Sequence, residues 1–238
     1  MDKKLLISVV VAAFNEEKYL PACLESLLKQ NFPKDAYEII VVDNNSIDKT
    51  AEIAEQYHAR VVREHRQGNT FAISKGMSSA KGEIIATLDA DTIALPGWLE
   101  NMRETFLNPE VVAATGPGLV KTGNKILDFI SEKFFDLFIL INFAIGKPHL
   151  CGFNLAVRKK AFDEIGGVDE KFTMSSDVDL GLRVKKRGKV VFVGKMKALT
   201  STRRWHKGIG KAIITYISGY IWTVWLRRPP PVKQNVVR

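Results

Sequence analysis

The chain has 238 residues, 46% of them hydrophobic, which is enough for one large α/β domain or two small ones with a substantial core. This composition excludes a disordered chain. The formal net charge is +9, yet fifteen of the 35 Lys and Arg residues and none of the 26 Asp and Glu residues lie from Gly181 onward. An acidic body therefore precedes a strongly basic tail region.

Charge asymmetry of this kind is typical of proteins that bind nucleic acid, an anionic membrane surface or a phosphorylated substrate. We expect no nucleic-acid partner, because the sequence contains no zinc-finger spacing, RNA-recognition signature or convincing helix-turn-helix. The two cysteines, Cys23 and Cys151, lie far apart and match neither a disulfide framework nor a thiolate metal site. This usage suits a reducing compartment.

The first residues, MDKKLLISVVVAAF, resemble a secretory signal in having lysines, an apolar run and a small-residue step. The run is rich in β-branched residues, however, and a helix-like segment and a second apolar strand follow it. We therefore interpret it as the first strand of a sheet.

Strand-like apolar runs alternate with amphipathic stretches through the first part of the chain. The alternation predicts βαβ units around a mostly parallel sheet, and hence an α/β fold flanked by helices. We expect strands at 5–13, 37–43, 59–63 and 83–89, and helices at 17–30, 48–58 and 69–79.

Polar side chains follow three of these predicted strands. The first strand runs into Ala13, Phe14, Asn15 and Glu16, the second ends in Asp43, and the run IIATLDADT ends in Asp89 and Asp91. Each could be an ordinary helix cap, and Ser46 or Asp48 is expected to be one. Because ligands of parallel sheets bind beyond the carboxyl ends of the strands, the three ends together favour a shared site. Two carboxylates one residue apart repel each other unless water or a cation lies between them, which favours a cation.

The second half predicts further helices. Residues 126–145 form an amphipathic helix whose acidic stripe, Asp128, Glu132 and Asp136, we expect to face solvent. A short helix ends at a Gly166-Gly167 turn, and Asp177 and Asp179 open another helix. The apolar stretch 212–226 is about 22 Å long as a helix, too short to span comfortably a hydrocarbon core of about 30 Å. Its tyrosines, tryptophans and basic flanks fit either an interfacial helix or one packed on the core.

Five segments in order resemble the family-2 glycosyltransferases, which have a GT-A fold and use nucleotide sugars. They are SVVVAAFNEE, EIIVVDNNSIDKT, TLDADT, CGFNLAVRKKAFDEIGGVDEKF and SSDVDLGLRVKKRG. The resemblance implies a Rossmann-like GT-A domain over residues 1–205, with a nucleotide-sugar-binding half at 1–95 and an acceptor and catalytic-base half at 96–205. A basic, aromatic helical tail at 206–238 would follow, as a possible membrane-surface segment.

The resemblance also implies residue roles. Asp177 would be the general base, and Asp89 would contact the nucleotide, with Asp91 holding Mg²⁺ or Mn²⁺ that bridges the donor diphosphate. We count Asp89 as a further metal ligand and His206 as an additional candidate. The remaining nucleotide-sugar contacts would come from Ala13, Asn15, Glu16 and Asp43.

Residues 201–205, STRRW, partly resemble the Gln-x-x-Arg-Trp motif of processive polysaccharide synthases, with Ser201 at the Gln position. Arg203 and Arg204 would contact a diphosphate and Trp205 would stack on an acceptor sugar; the alternative is a basic surface turn with one buried Trp. The chain departs from the family pattern in having Ala12 for a common Pro, Ser176 before Asp177 for a common Glu, and Ile73-Ser74 for a frequent Arg-Asn pair. The last departure leaves the donor open.

These features predict an inverting, metal-dependent hexosyltransferase-type enzyme of cell-envelope polysaccharide biosynthesis. It would move a sugar from a UDP- or GDP-sugar to a lipid-linked or glycan acceptor. We expect a cytoplasmic protein, peripheral on the inner membrane face and in contact with anionic lipid. The alternatives are a transferase with a soluble acceptor and a non-catalytic module that binds nucleotide sugar or anionic lipid.

Overall fold

The structure, a computed structural model, describes residues 6–120, 124–203 and 218–231. Its strands are β1 Ile7–Ala13, β2 Tyr37–Asp43, β3 Arg60–Arg63, β4 Ile84–Asp89, β5 Thr92–Ala94, β6 Val111–Thr115, β7 Gly118–Val120, β8 Asn154–Arg158, β9 Lys189–Phe192 and β10 Ala198–Thr200. Its α-helices are α1 Leu20–Leu28, α2 Thr50–Gln56, α3 Asn69–Ser79, α4 Trp98–Phe106, α5 Lys125–Ala144, α6 Lys159–Glu164 and α7 Ser176–Val184. The predicted strands and helices of the first part are confirmed, most of them shorter than predicted by a few residues.

Seven strands form the main sheet in the order β3-β2-β1-β4-β8-β6-β9. All run in one direction except β8, which is antiparallel to both neighbours, so the expected mostly parallel sheet is confirmed. The central strands are apolar and β-branched because both of their faces are covered. In β1, Val9 and Val11 point into one core layer and Val10 into the other.

Helices cover both faces of this sheet. One core layer contains the apolar sides of α1 and α4, and the other contains those of α3, α6 and α7. The helices cover the two faces of the sheet but not its edge. The carboxyl ends of β1, β2 and β4 lie at this edge, where the loops that follow them can form a site.

A second, three-stranded sheet has the order β5-β10-β7. Thr92 of β5 pairs with Thr200 of β10, and their hydroxyls are 3.1 Å apart. This pairing brings the residues just before β5 beside those just after β10, although more than a hundred residues separate them in the chain. No pattern in the sequence predicted this sheet.

The orientation of α5 differs from the prediction. Asp128, Glu132 and Asp136 lie on its partly buried side, and one oxygen of Asp136 is wholly buried. Most of the apolar side chains face outward instead, with Phe134 72% exposed. The expectation of a solvated acidic stripe was wrong, because the helix turns its polar side toward the protein.

In the tail region the structure describes a short helical segment at residues 218–224. Val224 is buried against Val178 and Leu182 of α7, and the hydroxyls of Ser175 and Thr223 are hydrogen-bonded. Ile221, Trp225 and Leu226 remain exposed. The described part of the tail therefore packs on the core with one side and leaves an apolar and aromatic side uncovered.

Within the described ranges, no helix combines the length and the apolar character that crossing a bilayer requires. α5 has twenty residues, but five of them are charged.

Candidate functional site

The three predicted strand ends meet at one edge of the main sheet. In the register of the parallel strands, Ala13 of β1 lies beside Asp43 of β2, and Ala12 lies beside Asp89 of β4. Neighbouring strands are about 4.8 Å apart, so Asp43 and Asp89 flank the end of β1 from opposite sides. The shared location that the sequence predicted for these carboxylates is confirmed.

The loop after β1 is joined to the loop after β2. Asn15 has a left-handed φ of 51°, a conformation that asparagine tolerates better than most residues. Its backbone N–H donates to Ser46 Oγ at 2.9 Å, and its side-chain oxygen accepts from the Ile47 N–H at 2.9 Å. The Glu16 N–H donates to Thr50 Oγ1 at 2.7 Å. These bonds hold Asn15 and Glu16 in place before any ligand binds.

Asn44, which the sequence analysis did not single out, organises the loop after β2. Its side-chain amide donates to the carbonyls of Glu64 and Arg66, and its side-chain oxygen accepts from the Gly68 N–H at 2.8 Å. Asp43 beside it is buried and accepts from the Ser46 N–H at 3.1 Å. In the sequence, this role is indicated only by an asparagine directly after a predicted strand. An asparagine that caps a helix has the same position, so the two roles cannot be distinguished there.

Arg203 joins two of the carboxylates that the resemblance assigns to the donor, Glu16 and Asp91. Its guanidinium donates to a carboxylate oxygen of Glu16, and its Nε lies 2.7 Å from Asp91 Oδ2. Ser201 Oγ donates to the same Asp91 oxygen at 2.6 Å, and the guanidinium lies 4.7 Å from the centre of the Tyr19 ring. Arg203 and Ser201 follow β10, so the small sheet delivers them to the strand-end edge.

The local charge at this edge is strongly negative. Burial raises the pKa of the Cys23 thiol, and the negative charges of Asp89, Asp91 and Glu16 raise it further. The thiol therefore stays protonated at neutral pH and is not a thiolate metal ligand. The second carboxylate oxygen of Glu16 is buried and has no hydrogen-bond partner among the residues that the structure describes. A cation or a hydrogen-bond donor would satisfy it.

The donor atoms at this edge fit a hard divalent cation. Asp89 and Asp91 supply carboxylate oxygens, which Mg²⁺ and Mn²⁺ prefer. Across residues 6–120, 124–203 and 218–231, no group of three or more His, Cys, Asp or Glu side chains could hold a metal ion. Mg²⁺ is usually bound by one or two carboxylates together with substrate phosphates and water. The residues present therefore fit a cation that is held jointly with a diphosphate.

Asp177 lies in the first turn of α7 and points toward the same end of the sheet. Its Oδ2 accepts from the Gly152 N–H at 2.8 Å, and its Oδ1 accepts from the Val178 N–H at 2.9 Å. The Gly152 carbonyl accepts from Thr87 Oγ1 at 2.5 Å, and Thr87 lies in β4 two residues before Asp89. One glycine therefore connects Asp177 to the strand that ends in Asp89, a contact that the sequence did not reveal.

An aromatic cluster supports this loop from the side of α5. The His149 ring stacks on Tyr220 with centroids 6.0 Å apart and meets Phe138 edge-on at 5.3 Å. Burial lowers the pKa of His149, and the nearby charge of Asp177 raises it by a smaller amount. His149 is therefore a neutral ring beside the candidate base. The sequence gives no indication of this role for His149, because its partners Phe138 and Tyr220 lie in two segments far apart in the chain.

The acceptor-side segment also has a structural asparagine. Asn154 is fully buried and accepts from Trp98 Nε1 at 2.8 Å. Its amide group donates to the carbonyls of Pro117 and Met196. Asn154 therefore fixes the start of β8 against three other segments, and both of its side-chain N–H donors are used within the protein.

Three predicted site residues, Arg204, Trp205 and His206, lie outside the described residues. The other predicted site residues, except Asp177, gather at or next to the ends of β1, β2 and β4, with Arg203 reaching them from the end of β10. The structure brings the metal, donor and base candidates to one end of the sheet.

Solved structures of similar fold include the mannosyltransferase PcManGT from Pyrobaculum calidifontis in complex with GDP-Man and Mn²⁺. That structure has a TM-score of 0.77 to the present one, at 18% sequence identity, and the match covers 98% of this chain and 68% of that chain. At this identity the likeness shows the fold alone, and it confirms the predicted GT-A fold.

Sequence relatives include the glycosyltransferase AglE of Haloferax volcanii, 28% identical over 195 residues, which are 76% of this chain and 62% of AglE. A beta-monoglucosyldiacylglycerol synthase of Nostoc sp. is 30% identical over 193 residues, which are 75% of this chain and 41% of the synthase. The chain thus spans less than two thirds of the length of either relative.

The family model described as glycosyl transferase family 2 matches residues 8–166, which is well over half of the chain. The matched range includes the ends of β1, β2 and β4, with Asn15, Asp43, Asp89 and Asp91. The resemblance inferred from the five sequence segments is confirmed: the chain belongs to glycosyl transferase family 2.

Proposed function

We propose that the protein is an inverting, metal-dependent glycosyltransferase that moves a sugar from a nucleotide sugar to a lipid-linked or glycan acceptor. The observation that carries the proposal is the convergence of Asp177 with the carboxylates at the strand ends. Asp43, Asp89 and Asp91 gather at the strand ends, and Gly152 connects Asp177 to the strand that ends in Asp89. In a transfer reaction the donor phosphate group and the acceptor hydroxyl lie next to each other. The strand-end carboxylates and Asp177 must therefore also be neighbours.

On the donor side, the joined loops after β1 and β2 would hold the nucleotide, with Ala13, Asn15, Glu16 and Asp43 around the base and ribose. Asp89 and Asp91 would hold Mg²⁺ or Mn²⁺. When bound, the cation supplies Lewis-acid neutralisation of the negative charge that develops on the departing diphosphate. Arg203 carries a positive charge at the same place and would add to that neutralisation.

On the acceptor side, Asp177 would accept the proton of the attacking hydroxyl. The Gly152 N–H fixes one carboxylate oxygen, so the side chain is oriented before the acceptor binds. The acceptor oxygen forms a bond to the anomeric carbon while the bond from that carbon to the diphosphate breaks. A single displacement inverts the anomeric centre, and no covalent enzyme intermediate is needed.

The donor nucleotide is proposed to be UDP or GDP. The similar structure from Pyrobaculum calidifontis contains GDP-Man and Mn²⁺. In the present chain, Ile73 and Ser74 lie in α3, where many family members have an Arg-Asn pair, so this segment does not identify the donor. A screen of both nucleotides is therefore required.

We place the reaction at the cytoplasmic face of a membrane, with the protein peripheral to it. The basic residues from Gly181 onward favour an anionic surface. The name of the Nostoc relative states a glucosylated diacylglycerol product, which supports a lipid acceptor here. A soluble acceptor is the alternative for the same chemistry.

A non-catalytic nucleotide-sugar or lipid-binding module is the alternative of another class. It would not need Asp177 to be held by Gly152 beside the strand that ends in Asp89, and this contact favours the enzyme.

The test begins with a thermal-shift screen of UDP- and GDP-sugars with and without Mn²⁺, because a ligand that binds the folded state raises its apparent stability. The donor found in this way is then incubated with lipid and glycan acceptors, and free nucleoside diphosphate is measured. We expect metal-dependent release. Donor binding without release for any acceptor would favour the binding module.

A further inference from the structure

The outward side of α5 is an extended apolar surface. Its residues are highly exposed for their type, with Phe134 at 72%, Ile126 at 70% and Phe129 at 60%. The other exposed large apolar residues of α5 are Leu127, Ile130, Leu137, Leu140 and Ile141. Monomeric proteins rarely expose a contiguous apolar patch of this kind unless it binds something.

Charge is sorted between the two sides of the same helix. Lys125 and Lys133, on its outward side, are exposed, whereas Asp128, Glu132 and Asp136 lie on the partly buried side. The outward side therefore combines apolar groups with positive charge. This combination matches the boundary between lipid tails and anionic headgroups.

The tail extends this surface. Tyr220 packs edge-on against Phe138 of α5 at 5.6 Å and donates to the side chain of Asn142. The neighbouring side chains of Ile221, Trp225 and Leu226 are exposed, and Lys147 lies 5.5 Å from the Trp225 ring centre. Arg227 and Arg228, which follow, are exposed as well. Tryptophan beside basic residues is typical of a membrane interface.

We propose that the outward apolar side chains of α5, together with those of residues 221, 225 and 226, insert into the interface of an anionic lipid bilayer. We call this the α5 surface. A second copy of the chain is a poorer occupant, because a symmetric contact would place the exposed lysines of α5 in an interface with their own copies.

The inward side of α5 lies against the loop that holds the candidate base. Phe138 contacts His149, and Phe135 contacts Phe153 with ring centroids 6.2 Å apart. Phe153 follows Gly152, whose N–H binds Asp177. Since a helix with its side chains is about 10 Å across, a bilayer on the outward side would bring the headgroups close to Asp177.

This placement makes a sugar or hydroxyl carried on a lipid headgroup the acceptor class. That part of the inference rests on the proposed transferase function. Membrane binding itself does not, because it requires neither donor nor metal. The two can therefore fail separately in experiment.

The test uses the full chain with vesicles of phosphatidylcholine, alone or mixed with phosphatidylglycerol, in a flotation assay. The variant Ile130→Ser/Phe134→Ser/Leu137→Ser removes apolar area from the outward side only. We expect binding to the mixed vesicles to fall at least about tenfold. Leu107→Ser, at an equally exposed residue (62%) after α4, is the matched control and should bind like wild type.

A second variant tests the charge. Arg227→Gln/Arg228→Gln should weaken binding to mixed vesicles and reduce its sensitivity to salt, because fewer charges are screened. Truncating the tail would be a poorer test, since Thr223 and Val224 pack on α7 and their loss would disturb the core.

Three results would overturn the proposal: no flotation of the wild type, flotation of the triple variant equal to wild type, or a concentration-dependent dimer that the triple variant abolishes. The single change Phe134→Ser, with a smaller expected loss, covers the case in which the triple variant does not fold. If flotation behaves as expected while neither a lipid nor a glycan acceptor releases nucleoside diphosphate, membrane binding stands and the transferase proposal fails.

Discussion

The guanidinium of Arg203 lies 2.7 Å from the carboxylate of Asp91, the residue expected to hold a divalent cation. The same guanidinium is paired with the buried carboxylate of Glu16. Arg203 therefore supplies a positive charge where the cation and the donor diphosphate are expected. A cation that binds Asp91 must compete with Arg203 or share the carboxylate with it.

We expect Arg203→Gln to lower the free energy of unfolding by about 1–3 kcal/mol, because the buried Glu16 carboxylate loses its positively charged partner. Mn²⁺ binding without donor should become tighter, since a competing cation is gone. Donor binding should weaken, since the diphosphate loses a contact. Urea unfolding and calorimetric titration with Mn²⁺ and with the donor would measure the three quantities.

Arg187→Gln is the control for this variant. Arg187 forms a surface pair with Glu164 at 3.6 Å, and both side chains are more than a third exposed. Such a pair contributes about 0–1 kcal/mol. A loss of stability in Arg203→Gln no greater than in Arg187→Gln would show that Glu16 does not depend on Arg203.

Asp177→Asn tests the general base. An asparagine can still accept the hydrogen bond from the Gly152 N–H, so the loop should keep its structure. It cannot accept a proton, and a positioned base contributes about 10²–10⁴-fold to the rate. We expect donor binding within a few-fold of wild type and single-turnover transfer reduced by that factor. Transfer close to the wild-type rate would remove Asp177 from the mechanism.

Asp91→Asn is the contrasting variant, at the donor end. The loss of a charged metal ligand should weaken metal-dependent donor binding as well as turnover. The pattern to measure is donor affinity with and without Mn²⁺ in both variants. If Asp91→Asn bound the donor as tightly as Asp177→Asn does, the assignment of Asp91 to the cation would be wrong.

Because His149 is buried and neutral, we expect the folded protein to lose stability in acid. Burial holds its pKa below the ordinary 6.5, so the unfolded chain binds a proton that the folded protein does not. The contribution of the neutral His149 to the free energy of unfolding is therefore fully present above pH 6.5 and is lost as the pH falls. The free energy of unfolding decreases by up to about 1.4 kcal/mol per pH unit. The nearby Asp177 charge acts in the opposite direction, and the neighbouring Tyr220, whose pKa is raised by burial, does not titrate in this range.

Urea unfolding at a series of pH values would measure this dependence. His149→Phe keeps an aromatic ring against Tyr220 and Phe138 but cannot be protonated, so its stability should fall less steeply below pH 6.5. His65→Gln, at an exposed histidine, should keep the wild-type slope. Equal slopes in all three proteins would contradict the prediction.

Gly76 is required for close packing of α3 on the sheet. A Cβ at this position would lie 2.3 Å from Val10 Cγ1 and 2.7 Å from Val42 Cγ2, both in buried strands. Gly76→Ala should lower the free energy of unfolding by about 1–3 kcal/mol, despite the better helix propensity of alanine. Gly194→Ala should change it little, because an added Cβ there would meet no heavy atom of the described residues within 4 Å apart from its chain neighbours. Thermal or urea unfolding of both variants would check this.

The pattern of the sequence predicts the order of strands and helices in the first part of the chain and the edge of the sheet at which the donor-side carboxylates lie. Apolar β-branched runs that alternate with amphipathic stretches are typical of a parallel sheet covered by helices, and few other folds fit this pattern. In such a sheet the carboxyl ends lie at one edge, so Asp43 and Asp89 were expected there, and they flank the end of β1. Local pattern and a general rule of topology were sufficient.

The tertiary structure alone decided the orientation of α5 and the partners of the site residues. Periodicity shows that α5 has an apolar and an acidic side, but only the neighbouring elements decide which side faces inward, and here the acidic side does. Arg203 reaches Asp91 because β10 pairs with β5, and His149 stacks on Tyr220 because the tail returns to α5. Such contacts join segments far apart in the chain, and no local pattern of residues specifies them.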